Sequence, residues 1–194
     1  MRQMLKLLTL CALGAASAAL AADGTITGKV DVTPAKYLEA TVVYLKGAKA
    51  PGRAPETKSM DQKSMTFIPH VLVVTQGDSV KFLNHDNVVH NVYTPDGEGY
   101  NLGSFKQNEE RSYTFKQEGA YTQLCSLHPE MLAFIFVAPS PYAAAVDKKG
   151  TFTIAHVPAG SYQLAVWNSH LKTPDKPMTV AAGQTITQNI TLKR

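Results

Sequence analysis

The chain has 194 residues, 44% of them hydrophobic and 18% charged, with a formal net charge of +4. Its 19 basic and 15 acidic residues are interspersed rather than gathered into runs, which argues against nucleic acid or an anionic membrane surface as a partner. The length suffices for one domain or two small ones.

The amino terminus, "MRQMLKLLTLCALGAASAALAAD", has the three parts of a secretory signal peptide over residues 1–21. Arg2 and Lys6 make a positive start, Leu7 to Ala16 is apolar, and Ala19 and Ala21 are small residues before the expected cut. The mature chain is expected to begin at Ala22 in the periplasm, with no membrane insertion, since the apolar run is too short to span. Leu10 before Cys11 is too large for a lipoprotein signal. Cleavage removes Arg2 and Lys6, leaving 17 basic against 15 acidic residues. It also removes Cys11, so Cys125 becomes a lone thiol in an oxidising compartment, without an internal disulfide partner. Such a thiol is buried and inert, paired with another molecule, or bound to a metal.

Beyond the signal, nearly every segment predicts strand. In chain order these are "TITGKV" (25–30), "ATVVYL" (40–45), "HVLVVT" (70–75), "SVKFLN" (79–84) and "RSYTFK" (111–116). "AFIFVA" (133–138), "TFTIAHV" (151–157), "YQLAVW" (162–167) and "QTITQNITL" (184–192) follow. "QGD", "PDGEG", "QEG", "KKG", "PAG" and "AAG" supply turn chemistry between them. The fold class predicted is all-β, an antiparallel sandwich or barrel. "KGAKAPGRAPETK" (46–58) and "APSPYAAA" (138–145) read as linkers and bracket the segment between them.

That bracketed segment carries the chemistry. "YTQLCSLHPEMLAFIFV" (121–137) places Cys125, His128 and Met131 three positions apart on one short loop between strands. Thiolate, imidazole and thioether are soft or borderline ligands, which favour copper over calcium or magnesium. A thioether is a poor zinc ligand. A fourth ligand must come from elsewhere, and "NHDNVVHNVYTPD" (84–96) offers His85 and His90. His90 follows a strand and loop and precedes Asn91, the better placed of the two. Two imidazoles and a thiolate with a weak axial thioether make a blue-copper set. Taken alone, Cys-x-x-His is more often structural; the export signal, the single thiol and the upstream His-Asn together turn the reading toward metal.

"GDSVKFLNHDNVVHNV" followed by "GAYTQLCSLHPEMLAFIFV" resembles the small cupredoxins, amicyanin and plastocyanin in particular. The similarity also includes Phe67-x-Pro69, and the Cys-x-x-His-x-x-Met loop has the short amicyanin form. The resemblance implies one type 1 copper centre in a Greek-key cupredoxin domain over 59–138, with His90, Cys125 and His128 equatorial and Met131 axial. It also implies that Asn91 bridges the two ligand loops, with Ser126 as its natural partner. Val89 stands where several relatives carry proline, and Phe82 where tryptophan is frequent. His70, His85, His156 and His170 are expected on the surface or locally satisfied, although His70 remains open as an extra copper contact. Met60 and Met65 are expected to pack, and Glu130 to point outward.

"DKKGTFTIAHVPAGSYQLAVW", with "GTITGKV" and "ATVVYL", resembles a carboxypeptidase regulatory-like (transthyretin-like) β-sandwich. Residues 22–58 and 139–194 are therefore expected to form one discontinuous second sandwich, with the cupredoxin inserted in a loop. The rival layout is a tandem in which 24–47 adds strands to the cupredoxin. The function expected is periplasmic electron transfer by Cu(I)/Cu(II) cycling, with a c-type cytochrome or periplasmic dehydrogenase as redox partner. The resemblance places electron exit at His128, rimmed for docking by Leu127, Pro129 and Leu132. The alternative is a module that carries, buffers or senses copper without electron transfer. No Ser/His/Asp set and no carboxylate pair suggests an enzyme.

Overall fold

A computed structural model describes residues 22–49 and 52–194; the expected signal peptide, with Cys11, lies outside the described residues. Strands β1 (Gly24–Thr33) and β2 (Thr41–Lys46) flank a short 3-10 turn, Ala35–Ala40, which Pro34 opens. Nine strands then follow in the middle of the chain. They are β3 (Thr57–Gln62), β4 (Phe67–Ile68), β5 (Val71–Thr75), β6 (Ser79–Asn84), β7 (His90–Thr94), β8 (Tyr100–Phe105), β9 (Glu110–Thr114), β10 (Gly119–Leu124) and β11 (Leu132–Ala138). The chain closes with β12 (Ala143–Ala145), β13 (Thr151–Val157), β14 (Gly160–Asn168), β15 (Lys176–Val180), β16 (Thr185–Thr187) and β17 (Ile190–Lys193).

Pairing sorts these strands into two sandwiches. The middle strands form one sheet in the order β4-β3-β6-β9 and another in the order β5-β11-β10-β7-β8. Between them lies a core that includes Met60, Phe82, Phe115, Tyr121 and Ile135. The outer strands form the sheet β12-β2-β14-β15 and a second sheet in which β1 pairs with β13, β16 and β17. These enclose Ile26, Leu45, Phe152, Leu164 and Leu192. β1 and β2 thus pair with strands after residue 142, not with the middle strands.

A third cluster joins the two. Val42 of β2 packs with Val71, Phe136 and Ala138, and Tyr44, Phe134 and Trp167 close around them. The ring centroids of Phe134 and Phe136 lie 5.3 and 5.6 Å from that of Trp167. β11 is therefore buried on both faces: Ala133, Ile135 and Val137 enter the middle core, while Phe134, Phe136 and Ala138 face the junction. A strand covered on both sides reads as an unbroken apolar run, which is what "AFIFVA" is.

The structure corrects several expectations. Three of the four sheets are mixed rather than antiparallel: β3 runs parallel to β6, β5 to β11, and β1 to both β16 and β17, while β12-β2-β14-β15 is antiparallel throughout. The stretch 184–192 is two strands, β16 and β17, and at the break between them the Gln188 carbonyl oxygen approaches Gly28 of β1 where a Cβ would collide with it. The 46–58 stretch is not a free linker. Arg53 forms a two-pronged pair with the buried Asp78 carboxylate at 2.8 and 2.9 Å, and Thr57 already begins β3. Within 138–145, Ala143–Ala145 pairs with β2; alanines contribute backbone bonds there but no side-chain pattern to read. Met60 packs in the core as expected, but Met65 is 49% exposed at a turn.

Candidate metal centre

The site forms where two loops meet at one end of the middle sandwich. One loop joins β6 to β7. Asn84, fully buried, organises it by donating to the Val88 and Phe105 carbonyls at 2.9 and 3.1 Å. Its own Oδ1 accepts from the Asp86 backbone N–H at 2.9 Å, a local turn typical of asparagine. His90 opens β7 with its side chain fully buried. The other loop joins β10 to β11. β10 ends at Leu124, which lies opposite Tyr93 of β7. Cys125 follows at once, 3% exposed, and the Met131 N–H donates to the His128 carbonyl at 3.0 Å to close the turn. The loops meet because β7 and β10 are sheet neighbours, though 35 residues separate His90 from Cys125.

Three donor atoms converge there. The Nδ1 atoms of His90 and His128 are 3.1 Å apart, and each faces Cys125 Sγ, at 3.9 and 3.7 Å. All lie within 4.8 Å of one another, as ligands of one ion must. His90 and Cys125 are buried and His128 half-buried. Met131 is 1% exposed and belongs to the same core cluster as Cys125. The set contains one thiol and two imidazoles with no carboxylate, and its chemistry fits copper.

Asn91 ties the loops together. Its backbone N–H donates to Cys125 Sγ at 3.4 Å, which suits a sulfur carrying negative charge. Its side-chain oxygen accepts from the Ser126 backbone N–H at 3.3 Å, so the bond to Ser126 uses the main chain rather than the hydroxyl. Its amide nitrogen donates to Asn101 Oδ1 at 2.8 Å. Asn101 lies in β8 where the register with β7 shifts, beside Gly103 at φ +72°. That backbone geometry suits glycine, and bulges of this kind re-aim side chains beside functional sites.

The second nitrogen of His90 is also engaged. Nε2 lies 2.8 Å from an Asp86 carboxylate oxygen. The same carboxylate accepts the backbone N–H groups of Ser64 at 2.6 Å and Met65 at 2.8 Å. Ser64 and Met65 are the central pair of the β3–β4 turn, which is closed by bonds of 3.0 and 3.2 Å between Lys63 and Thr66. Both have positive φ, 55° and 53°, a conformation disfavoured by about 1 kcal/mol per residue without compensation. Desolvation works against the charge of Asp86, but the bonds from Met65, His90 and Ser64 outweigh it and hold its carboxyl below the usual range.

The remaining predicted residues take these places. Leu127 and Leu132 are 50% and 42% exposed beside His128, and Pro129 and Glu130 are exposed on the same loop. His85 is half exposed and bonded to Asp61 at 2.8 Å, on the outside of the loop that buries His90. His70 lies edge-on to Phe134 at 5.6 Å and stands outside the converging group. His156 is exposed, and His170 stacks on Tyr37 at 4.0 Å. Val89 is 40% exposed and Phe82 lies in the core. Sequence reasoning missed Asp86 and Asn101. Asp86 stands four residues before His90, but a lone aspartate in a polar loop carries no signal until the β3–β4 turn is folded against it.

Residues 55–138 match the family model of copper binding proteins, plastocyanin/azurin family. Residues 135–188 match that of polysaccharide lyase family 4, domain II, which supports only in part the carboxypeptidase regulatory-like sandwich expected for the flanks. No curated protein matches the chain. Among solved structures, a copper-containing nitrite reductase from Thermus scotoductus SA-01 is 28% identical with a TM-score of 0.40, over 48% of this chain and 24% of the reductase. A purple cupredoxin from Nitrosopumilus maritimus is 22% identical with a TM-score of 0.38, over 41% of this chain and 98% of that one. A reduced Cu(I) amicyanin variant is 24% identical with a TM-score of 0.41, over 50% and 98%.

Proposed function

We propose that this chain, which over residues 55–138 belongs to the plastocyanin/azurin family of copper binding proteins, is a one-electron carrier built on a single type 1 centre. Copper is its cofactor. In this reading Cys125 Sγ, the Nδ1 atoms of His90 and His128, and the thioether of Met131 would hold the copper. The observation that carries the reading is the convergence of the first three donors within 4.8 Å on loops pinned by neighbouring strands. Copper held by these residues would supply a one-electron Cu(I)/Cu(II) couple.

The chain's own residues supply rigidity and an exit. Asn91 holds the Cys125 sulfur and the Ser126 backbone, so the two ligand loops keep one relative position. His90 is sealed in the core and the half-buried His128 is the route outward. Exposed Leu127, Pro129 and Leu132 around it give a small apolar rim suited to brief docking. A periplasmic redox protein, a c-type cytochrome or a dehydrogenase, would dock there. The periplasmic assignment rests on the amino-terminal sequence; among the described residues no helix is long and apolar enough to cross a membrane.

Adding Cu(II) to the purified protein tests the reading. The expected result is an intense visible thiolate-to-copper band and a reversible one-electron couple. Cys125→Ser should abolish the band, and His90→Ala or His128→Ala should weaken copper binding by roughly tenfold or more. A colourless protein that holds only Cu(I) and yields it to a competitor would overturn electron transfer and leave copper carriage.

A further inference from the structure

The Asp86 carboxylate sits on two elements at once: an exposed hairpin turn and the buried ligand loop. We infer that Asp86 is a positioning residue that fixes the ring of His90 with Nδ1 toward Cys125 and biases the centre toward its oxidised form by its negative charge. The inference deepens the copper reading above and rests on it.

The geometry makes the case in steps. His90 has two ring nitrogens, and Nε2 is 2.8 Å from Asp86 while Nδ1 faces the thiol and His128. A carboxylate accepts and cannot donate, so the Nε2 nitrogen carries the proton and Nδ1 presents its lone pair. A ring so held donates more strongly through the free nitrogen. The carboxylate also places a negative charge one imidazole away from the three donors. In a buried setting such a charge favours the ion of higher positive charge, copper(II) over copper(I).

What keeps Asp86 in place is the turn. Its oxygens take the N–H groups of Ser64 and Met65, two residues in left-handed conformations that glycine and asparagine adopt more readily. The carboxylate therefore holds the strained turn, and the turn in exchange clamps the carboxylate against His90. The side chain of Asp86 is only 13% exposed, so water competes little for these bonds.

Asp86→Asn is the direct test, because asparagine keeps an acceptor and loses the charge. The expected result is about a tenfold fall in the ratio of Cu(II) to Cu(I) affinity, read as a midpoint potential higher by about 59 mV. A purely structural role for Asp86 is separated by a second variant. Ser64→Asn with Met65→Gly, placed in the Asp86→Asn background, rebuilds the turn with residues that prefer its backbone. Stability should then recover while the potential stays raised. A potential that does not move in Asp86→Asn, or that returns to the starting value with the rebuilt turn, would overturn the inference. A third readout needs no copper. Nitrogen NMR of the His90 ring in metal-free protein should show the Nε2–H tautomer, lost in Asp86→Ala; an unchanged tautomer would also overturn it. Failure of the unmodified protein to develop the visible band would instead strike the copper reading, and leaves the tautomer result standing on its own.

Discussion

Of the four side chains assigned to the metal, three are buried and His128 alone reaches toward solvent. Their substitutions should therefore fail differently. Met131 supplies a thioether from inside a packed core, so Met131→Leu nearly conserves volume and should lose less than about 1.5 kcal/mol of stability. Its effect belongs to the redox couple. Removing a weak donor to copper(II) should raise the reduction potential while the visible band persists, as voltammetry and absorption would show. A potential unchanged in Met131→Leu would take methionine out of the ligand set. Cys125, His128 and Met131 were legible in the sequence because one loop carries all three at a fixed spacing. Asp86 and Asn101 were not, since each acts through contacts with segments far along the chain: the turn at Ser64–Met65 and the bulge beside Asn91.

Among the elements, strands with alternating or continuous apolar residues, such as β6, β11 and β13, could be read directly. β8 and β12 could not, because "YNLGSF" and "AAA" carry little apolar periodicity and are recruited by neighbours already in place. β15 contains Pro177, tolerated because β15 is an edge strand. The least legible stretch was the Arg53 segment, whose composition suggests a loose tether. Asp78, between β5 and β6, holds it with a two-pronged bond to Arg53 and also accepts the N–H groups of Glu56 and Thr75, both at 2.8 Å. Desolvation opposes the charge of Asp78, but these partners keep its carboxyl below its usual range. Its contribution to stability is thus complete above the unfolded-state value of about 3.9 and is lost as pH falls through the lower folded value. Acid unfolding should become less steep below about pH 4 in Asp78→Asn, and Asp78→Ala should lose about 3 kcal/mol in denaturant melts by stranding Arg53.

At the scale of the whole molecule, the two sandwiches share the junction around Phe136 and Trp167. Phe136→Ala should destabilise the protein by about 3 kcal/mol. Because Trp167 is the single tryptophan of the chain, its fluorescence should shift in the same variant, which makes the junction directly observable. A Phe136→Ala protein with unaltered emission and melting would mean that the two sandwiches contribute little to each other. β11 makes that contact, and it springs from the loop of Cys125, His128 and Met131. Its two rows of side chains belong to different interiors: Ala133, Ile135 and Val137 to one, Phe134, Phe136 and Ala138 to the other. A slide of one residue would swap the rows and send aromatic rings into space shaped for alanine and valine. The strand therefore has a single seat, and the outer sandwich works as the second jaw of a vice that grips the root of the loop bearing Cys125, His128 and Met131.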